Sequence, residues 1–127
     1  MARILVIDDE PAVRSVLGRL LRRAGHQLLE AGDGAVGIEL LQRRGIDLVI
    51  LDIYMPGLGG LDTIPLLRKN WPALKIVAVS GADHAGPVEV GARATELGAN
   101  HFLRKPFETS ELLRVVRTLL PEAPPSL

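Results

Sequence analysis

Three short apolar runs recur at wide spacing: "ILVI" at 4–7, "LVIL" at 48–51 and "IVAV" at 76–79. Each is rich in Val or Ile, too short for a helix, and bounded by polar or turn residues. Such runs predict strands buried on both faces, the condition of a parallel sheet covered by helices. "HQLLEA" at 26–31 alternates less cleanly and predicts an outer strand, and "NHFL" at 100–103 predicts a fifth.

Helical periods lie between the strands. After Pro11, which suits a first helical turn, Val13, Val16, Leu17, Leu20, Leu21 and Ala24 follow a 3.6-residue period that Gly25 closes. Further helices are expected at 34–45 (ending at Gly45), 61–70, 88–97 (ended by Gly98) and 109–120. Pro65 lacks a backbone donor, so the third helix should start late or bend. The fourth is poorly specified, because 81–91 holds three glycines and a proline; this stretch is expected to be the most mobile ordered part. Strand and helix alternate five times, which predicts an α/β fold: a doubly wound five-stranded parallel sheet with helices on both faces.

A chain of 127 residues suffices for one domain, expected over 1–120, with "PEAPPSL" at 121–127 as a Pro-rich tail or linker stub. Fifteen Lys and Arg balance fifteen Asp and Glu, which argues against direct nucleic-acid binding. There is no Cys, hence no disulfide framework. No apolar segment approaches the ~20 residues of a membrane span, and the N-terminus does not read as a signal peptide. A soluble cytoplasmic protein without membrane contact is the expectation.

Ligands of such sheets bind outside the carboxyl ends of the strands. There the sequence places Asp8 and Asp9 after the first strand, Asp52 after the third, Ser80 after the fourth and Lys105 after the fifth. Parallel strands sit about 4.8 Å apart. If the first, third and fourth are neighbours, three carboxylates, a hydroxyl and an ammonium share one small patch. Adjacent carboxylates resist burial, but they suit a hard divalent cation, which prefers oxygen ligands. A cation with Lys105 could hold a phosphoryl group, whose transfer needs in-line positioning and charge neutralisation.

The pieces "VIDDEP", "LVILDIYMPGLGGL", "AVSG" and "ELGANHFLRKPF", in this order and spacing, resemble a bacterial two-component response-regulator receiver domain over residues 3–120. The resemblance implies the flavodoxin-like (βα)5 receiver fold. It implies a phosphorylation-controlled signalling switch in which Asp52 accepts a phosphoryl group from a histidine kinase or phosphotransfer protein. It further implies Mg²⁺ (or Mn²⁺) touched directly by Asp9, Asp52 and the backbone carbonyl of Tyr54, with Asp8 acting through water. Ser80 matches the switch hydroxyl, Lys105 the switch lysine with Pro106 after a cis bond, and Phe102 the rotating aromatic. The phosphoryl lifetime would depend partly on Tyr54 and Ala82. Such a domain catalyses only its own phosphorylation and dephosphorylation. It would signal by reshaping the face of the fourth helix, fifth strand and fifth helix toward an unknown downstream protein, as a monomer or a weak dimer through that face. Gly59 stands where many receivers carry a polar residue, so a looser loop is expected there.

Taken singly, these residues have plainer readings. "DDE" could cap a helix, "MPG" could be only a turn, Ser80 a cap hydroxyl, Lys105 surface charge and Phe102 plain core. His26, His84 and His101 have no ligand spacing, and Trp71 is expected to cover the core edge. The alternative function is a Mg²⁺-dependent small-molecule phosphohydrolase with an aspartyl-phosphate intermediate, though no residues remain to build its cap. A nucleotide binder would need a phosphate-binding loop where the acids stand. Whether the domain stands alone or precedes an output domain stays open, as do the kinase and the pathway.

Overall fold

In the computed structural model, the apolar runs form five parallel strands, β1 (Arg3–Ile7), β2 (Gln27–Ala31), β3 (Leu48–Asp52), β4 (Lys75–Ser80) and β5 (His101–Arg104). Residues 2–54, 60–81 and 87–120 are described, with the side chains of 87–89 excepted. The expectations for Gly59 and the "MPG" turn, for Ala82, for the glycine-rich stretch across 82–86 and for the tail at 121–127 lie outside the described residues. The sheet order is β2-β1-β3-β4-β5, so the first, third and fourth strands are central neighbours and the two weakly patterned ones form the edges.

Alternation along each strand divides the apolar residues between two faces. Leu5, Ile7, Val49, Leu51, Ile76 and Ala78 pack with residues of α2 (Gly34–Arg43), α3 (Thr63–Asn70) and α4 (Pro87–Leu97). Ile4, Val6, Ile50 and Val77 pack with Leu17 and Leu21 of α1 (Pro11–Arg23) and Leu112, Val115 and Val116 of α5 (Thr109–Leu119). Burying each large side chain contributes about 2 kcal/mol, and Leu67→Ala, at a fully buried α3 position, should cost about 3 kcal/mol. None of the described helices is long and apolar enough to cross a membrane.

Two helix boundaries are informative: the end of α2 departs from the sequence expectation, and the late start of α3 meets it. α2 ends at Arg43, because Arg44 is already extended at φ −127°, and Gly45 does not act as a left-handed cap. α3 starts at Thr63 after a 3₁₀ turn over Gly60–Asp62, which puts Pro65 at the third helical position. The N–H that proline lacks there would be one of the first-turn donors with no intrahelical partner, so the helix starts late and does not break. Gly60 holds φ +69°, and a Cβ on it would lie 2.5 Å from the Ile53 carbonyl oxygen, so glycine is required.

At the amino end of the sheet, Arg68 of α3 ties three connections together. Its guanidinium donates to the carbonyls of Pro72 (2.9 Å), Leu74 (2.6 Å) and Gly98 (2.8 and 3.2 Å) and to Asn100 Oδ1 (2.8 Å). Asn100 Oδ1 also accepts from the Ile76 amide at 2.8 Å, and the Asn100 amide donates to the Ile76 carbonyl at 2.8 Å. The start of β4, the end of α4 and the start of β5 are thereby fixed to one another.

Candidate phosphoacceptor site

Strand register brings the functional candidates to one end. Ile7 pairs with Leu51, so Asp8 and Asp52 emerge together from adjacent strands. Asp52 pairs with Val79 and Ser80 with Arg104, so Ser80 and Lys105 follow one step further along. The backbone locks this arrangement: the Asp8 amide donates to the Ala31 carbonyl (3.1 Å), Ile53 to Val79 (3.0 Å) and Lys105 to Ser80 (2.7 Å). The Lys105–Pro106 bond is cis, as the resemblance implied.

Asp8 and Asp52 are 3% and 5% exposed, a burial that carboxylates adopt only with partners. The Lys105 ammonium lies 2.9 Å from Asp8 Oδ2 and 3.5 Å from Asp52 Oδ2. The remaining oxygens are served by main chain: Asp8 Oδ1 accepts from the Glu10 amide and Asp52 Oδ1 from the Tyr54 amide, both at 2.9 Å. Burial pushes the Asp52 carboxyl above the usual aspartate range; the Tyr54 amide and Lys105 oppose this without cancelling it. Burial alone would disfavour the Lys105 ammonium, but its hydrogen bond to Asp8 and the charges of Asp52 and Asp8 outweigh that and raise its pKa. One ammonium therefore serves two carboxylates and sits nearer to Asp8.

Asp9 is exposed at the mouth of the site, and ligand oxygens of Asp8, Asp9 and Glu10 lie within 4.8 Å of one another. All are hard oxygen donors, and Asp52 adds another through its shared contact with Lys105. The set therefore fits a hard divalent cation with few protein ligands. Ser80 is buried, and its hydroxyl makes a long, 3.4 Å bond to the Gly81 carbonyl that a better acceptor could replace. Tyr54 is half-buried against the α2–α4 face of the core.

Phe102 lies on strand β5, half-buried against the same core cluster as Val90, Ala94 and Leu97. A Cβ at Gly91 would fall 2.8 Å from Phe102 Cδ2, so the ring occupies space that only glycine leaves on α4. The sequence reading did not single out Glu10 as part of the acid cluster, nor Arg14, whose Nη1 donates to the Asp8 carbonyl at 2.6 Å. Only the end-of-strand position of "DDE" hinted at Glu10; Arg14 sits on the polar side of a helical period and carries no motif.

A sheet of this order with buried acids at its carboxyl end defines a receiver-type site. The chain belongs to the response regulator receiver domain family, whose model matches residues 4–117. It is 34% identical over 122 residues to protein PilH of Pseudomonas aeruginosa, covering 94% of this chain and 98% of PilH. It is 37% identical to the DNA-binding transcriptional regulator NtrC of Azospirillum brasilense, covering 98% of this chain but spanning only 26% of that relative. The solved structure of the response regulator TrrA from Thermotoga maritima, in complex with Mg²⁺ and BeF, superposes with a TM-score of 0.81 at 33% identity, covering 94% of this chain and all of that one. The chain is thus a receiver domain of two-component signalling, and nothing among these relatives supports the phosphohydrolase alternative.

Proposed function

We propose that Asp52 is the phosphoacceptor of this receiver, taking its phosphoryl group from a histidine kinase or phosphotransfer protein. The observation that carries this reading is the buried Asp52 carboxylate sharing the Lys105 ammonium with Asp8. An Asp52 oxygen forms the new P–O bond as the donor's P–N bond breaks, and the leaving imidazole keeps the electron pair. Lys105 then reads the phosphoryl charge, and Ser80 exchanges its long bond for a phosphoryl oxygen. Phe102 would turn within the space beside Gly91 and reshape the α4-β5-α5 face for a downstream protein, or for weak self-association. Asp9, Asp52, the Tyr54 carbonyl and, through water, Asp8 would hold Mg²⁺ (or Mn²⁺). When bound, the cation offsets the charge of acids and phosphoryl group. TrrA, captured with Mg²⁺ and BeF, supports this set by analogy. On this reading residues 1–120 would form the receiver unit, with 121–127 as a Pro-rich tail or linker stub, in a cytoplasmic setting, and catalysis would be confined to the domain's own phosphorylation and dephosphorylation.

Intact mass after incubation with acetyl phosphate tests the reading. One added phosphoryl group is expected with Mg²⁺ and none with a chelator. Asp52→Asn should abolish it, and full labelling of that variant would overturn the assignment.

A further inference from the structure

Arg14 stands on α1 and reaches the main chain of the acids. Its Nη1 donates to the Asp8 carbonyl at 2.6 Å, a short charge-assisted bond. Its Nε lies 3.4 Å from Glu30 Oε1 on β2, and Glu30 is approached on its other oxygen by Arg22 at 3.9 Å. A Cβ at Gly32 would come within 3.6 Å of Arg14 Nη1, so the turn after β2 runs close beside the guanidinium. Arg14 therefore spans from the end of β2 to the peptide joining Asp8 and Asp9. Unlike Lys105, it makes no hydrogen bond to the Asp8 carboxylate, whose oxygens accept from Lys105 and the Glu10 amide.

We propose that Arg14 is a positioning residue for cation binding: by clamping the Asp8 carbonyl against β2 it fixes the Asp8–Asp9 peptide, and so the direction of the exposed Asp9 carboxylate. This rests on the Mg²⁺ reading above. Asp9 is exposed and has no such brace among the described residues, whereas the Asp8 carboxylate is buried and held by Glu10 and Lys105. An unbraced Asp9 would have to be ordered when the cation arrives, and that entropy cost would appear as lost affinity. Outer partners of metal ligands typically contribute about tenfold or more in affinity through orientation.

The proposal differs in sign from a simple charge effect. Removing a nearby positive charge should tighten cation binding by Coulomb attraction; removing a brace should weaken it. Arg14→Met deletes charge and donors but keeps the stem. Mg²⁺ titration followed by the Asp9 and Tyr54 amide resonances should show about tenfold weaker binding in Arg14→Met. Arg14→Lys, which keeps the charge but cannot fork between Asp8 and Glu30, should fall between. The metal-free melting temperature should stay close to that of the wild type. Unchanged or tighter Mg²⁺ binding in Arg14→Met overturns the proposal, as does a metal-free melting loss as large as a core truncation's. If Arg14→Met does not fold, Glu30→Gln releases the same clamp from its other end and should weaken Mg²⁺ binding roughly threefold, a part of the full brace effect; no change there is equally fatal. A wild type that binds no Mg²⁺ overturns the site reading itself, whereas normal wild-type binding with indifferent variants removes Arg14 alone.

Discussion

The two ends of the sheet hold charge in opposite ways. At the amino end, the Arg68 guanidinium makes five hydrogen bonds, four to main-chain carbonyls and one to Asn100, with no carboxylate among them. Each acceptor is fixed by the fold, so there is one arrangement. At the carboxyl end, two buried carboxylates share one ammonium at 2.9 and 3.5 Å, and a neighbouring hydroxyl makes only a long bond. A cation, a proton or a phosphoryl group can each rebalance that end. A charge acts as a clamp where its partners are fixed dipoles and, on the function proposed above, as a trigger where its partners are charges in competition.

Removing the clamp should have the largest effect. Arg68→Ala leaves several carbonyls of the α3–β4 and α4–β5 connections without their donor and should cost about 3 kcal/mol in denaturant unfolding. Phosphoryl labelling of the folded fraction should persist, because the acids lie at the other end; loss of labelling in folded protein would break the division between the two ends.

Lys105→Ala should cost less, about 2 kcal/mol, by leaving Asp8 and Asp52 to face each other without a cation. The variant should still be labelled, more slowly, yet fail to bind its partner as the phosphorylated wild type does. Normal partner binding once labelled would show that another group reads the phosphoryl charge.

Asp52→Asn should act in the opposite direction, raising stability by about 1 kcal/mol, or roughly 3 °C in melting temperature. The sign follows from the raised Asp52 pKa: the folded protein holds that proton more tightly than the unfolded chain, so ionisation opposes folding. The cost is absent below the ordinary value of 3.8, enters as pH rises through it, and is complete above the folded-state pKa. The stability gap between Asp52→Asn and wild type should therefore widen from acid to neutral pH. A constant gap would mean that burial does not strain Asp52.

The smallest effect belongs to the amino end. His26 Nδ1 accepts from the Ala2 amide at 3.3 Å, and burial, with the nearby amino terminus, lowers its pKa. The unfolded chain then binds this proton first, so stability should decline slightly as pH falls through 6.5 toward the folded-state value. His26→Gln should flatten that slope, measured by melting between pH 7.5 and about 5.

The trigger was far more legible in the sequence than the clamp. Asp8, Asp52, Ser80 and Lys105 end or follow strands whose Val- and Ile-rich runs announce themselves, so locating the strands located the site. The strand order predicted as a condition is the one observed. Arg68 could not be read this way, because four of its five hydrogen bonds go to backbone carbonyls 4 to 30 residues distant that any sequence would supply. The end of α2 escaped for a related reason: a glycine two residues beyond the last helical turn offers a left-handed cap that the chain does not use. The packing of Phe102 against Gly91 lay hidden too, since the fourth helix has weak propensity and its glycine reads as a breaker until its neighbour is known.

Hydrogen exchange with and without beryllofluoride and Mg²⁺ tests the contrast between trigger and clamp most directly. Exchange should slow at the carboxyl ends of β4 and β5, in the Tyr54 amide and through α4, as the ligand recruits Ser80 and Lys105. Amides of the clamp, Ile76 and Asn100 above all, should exchange slowly in both states and change little. Equal slowing at both ends would contradict the account, and so would a response confined to the clamp.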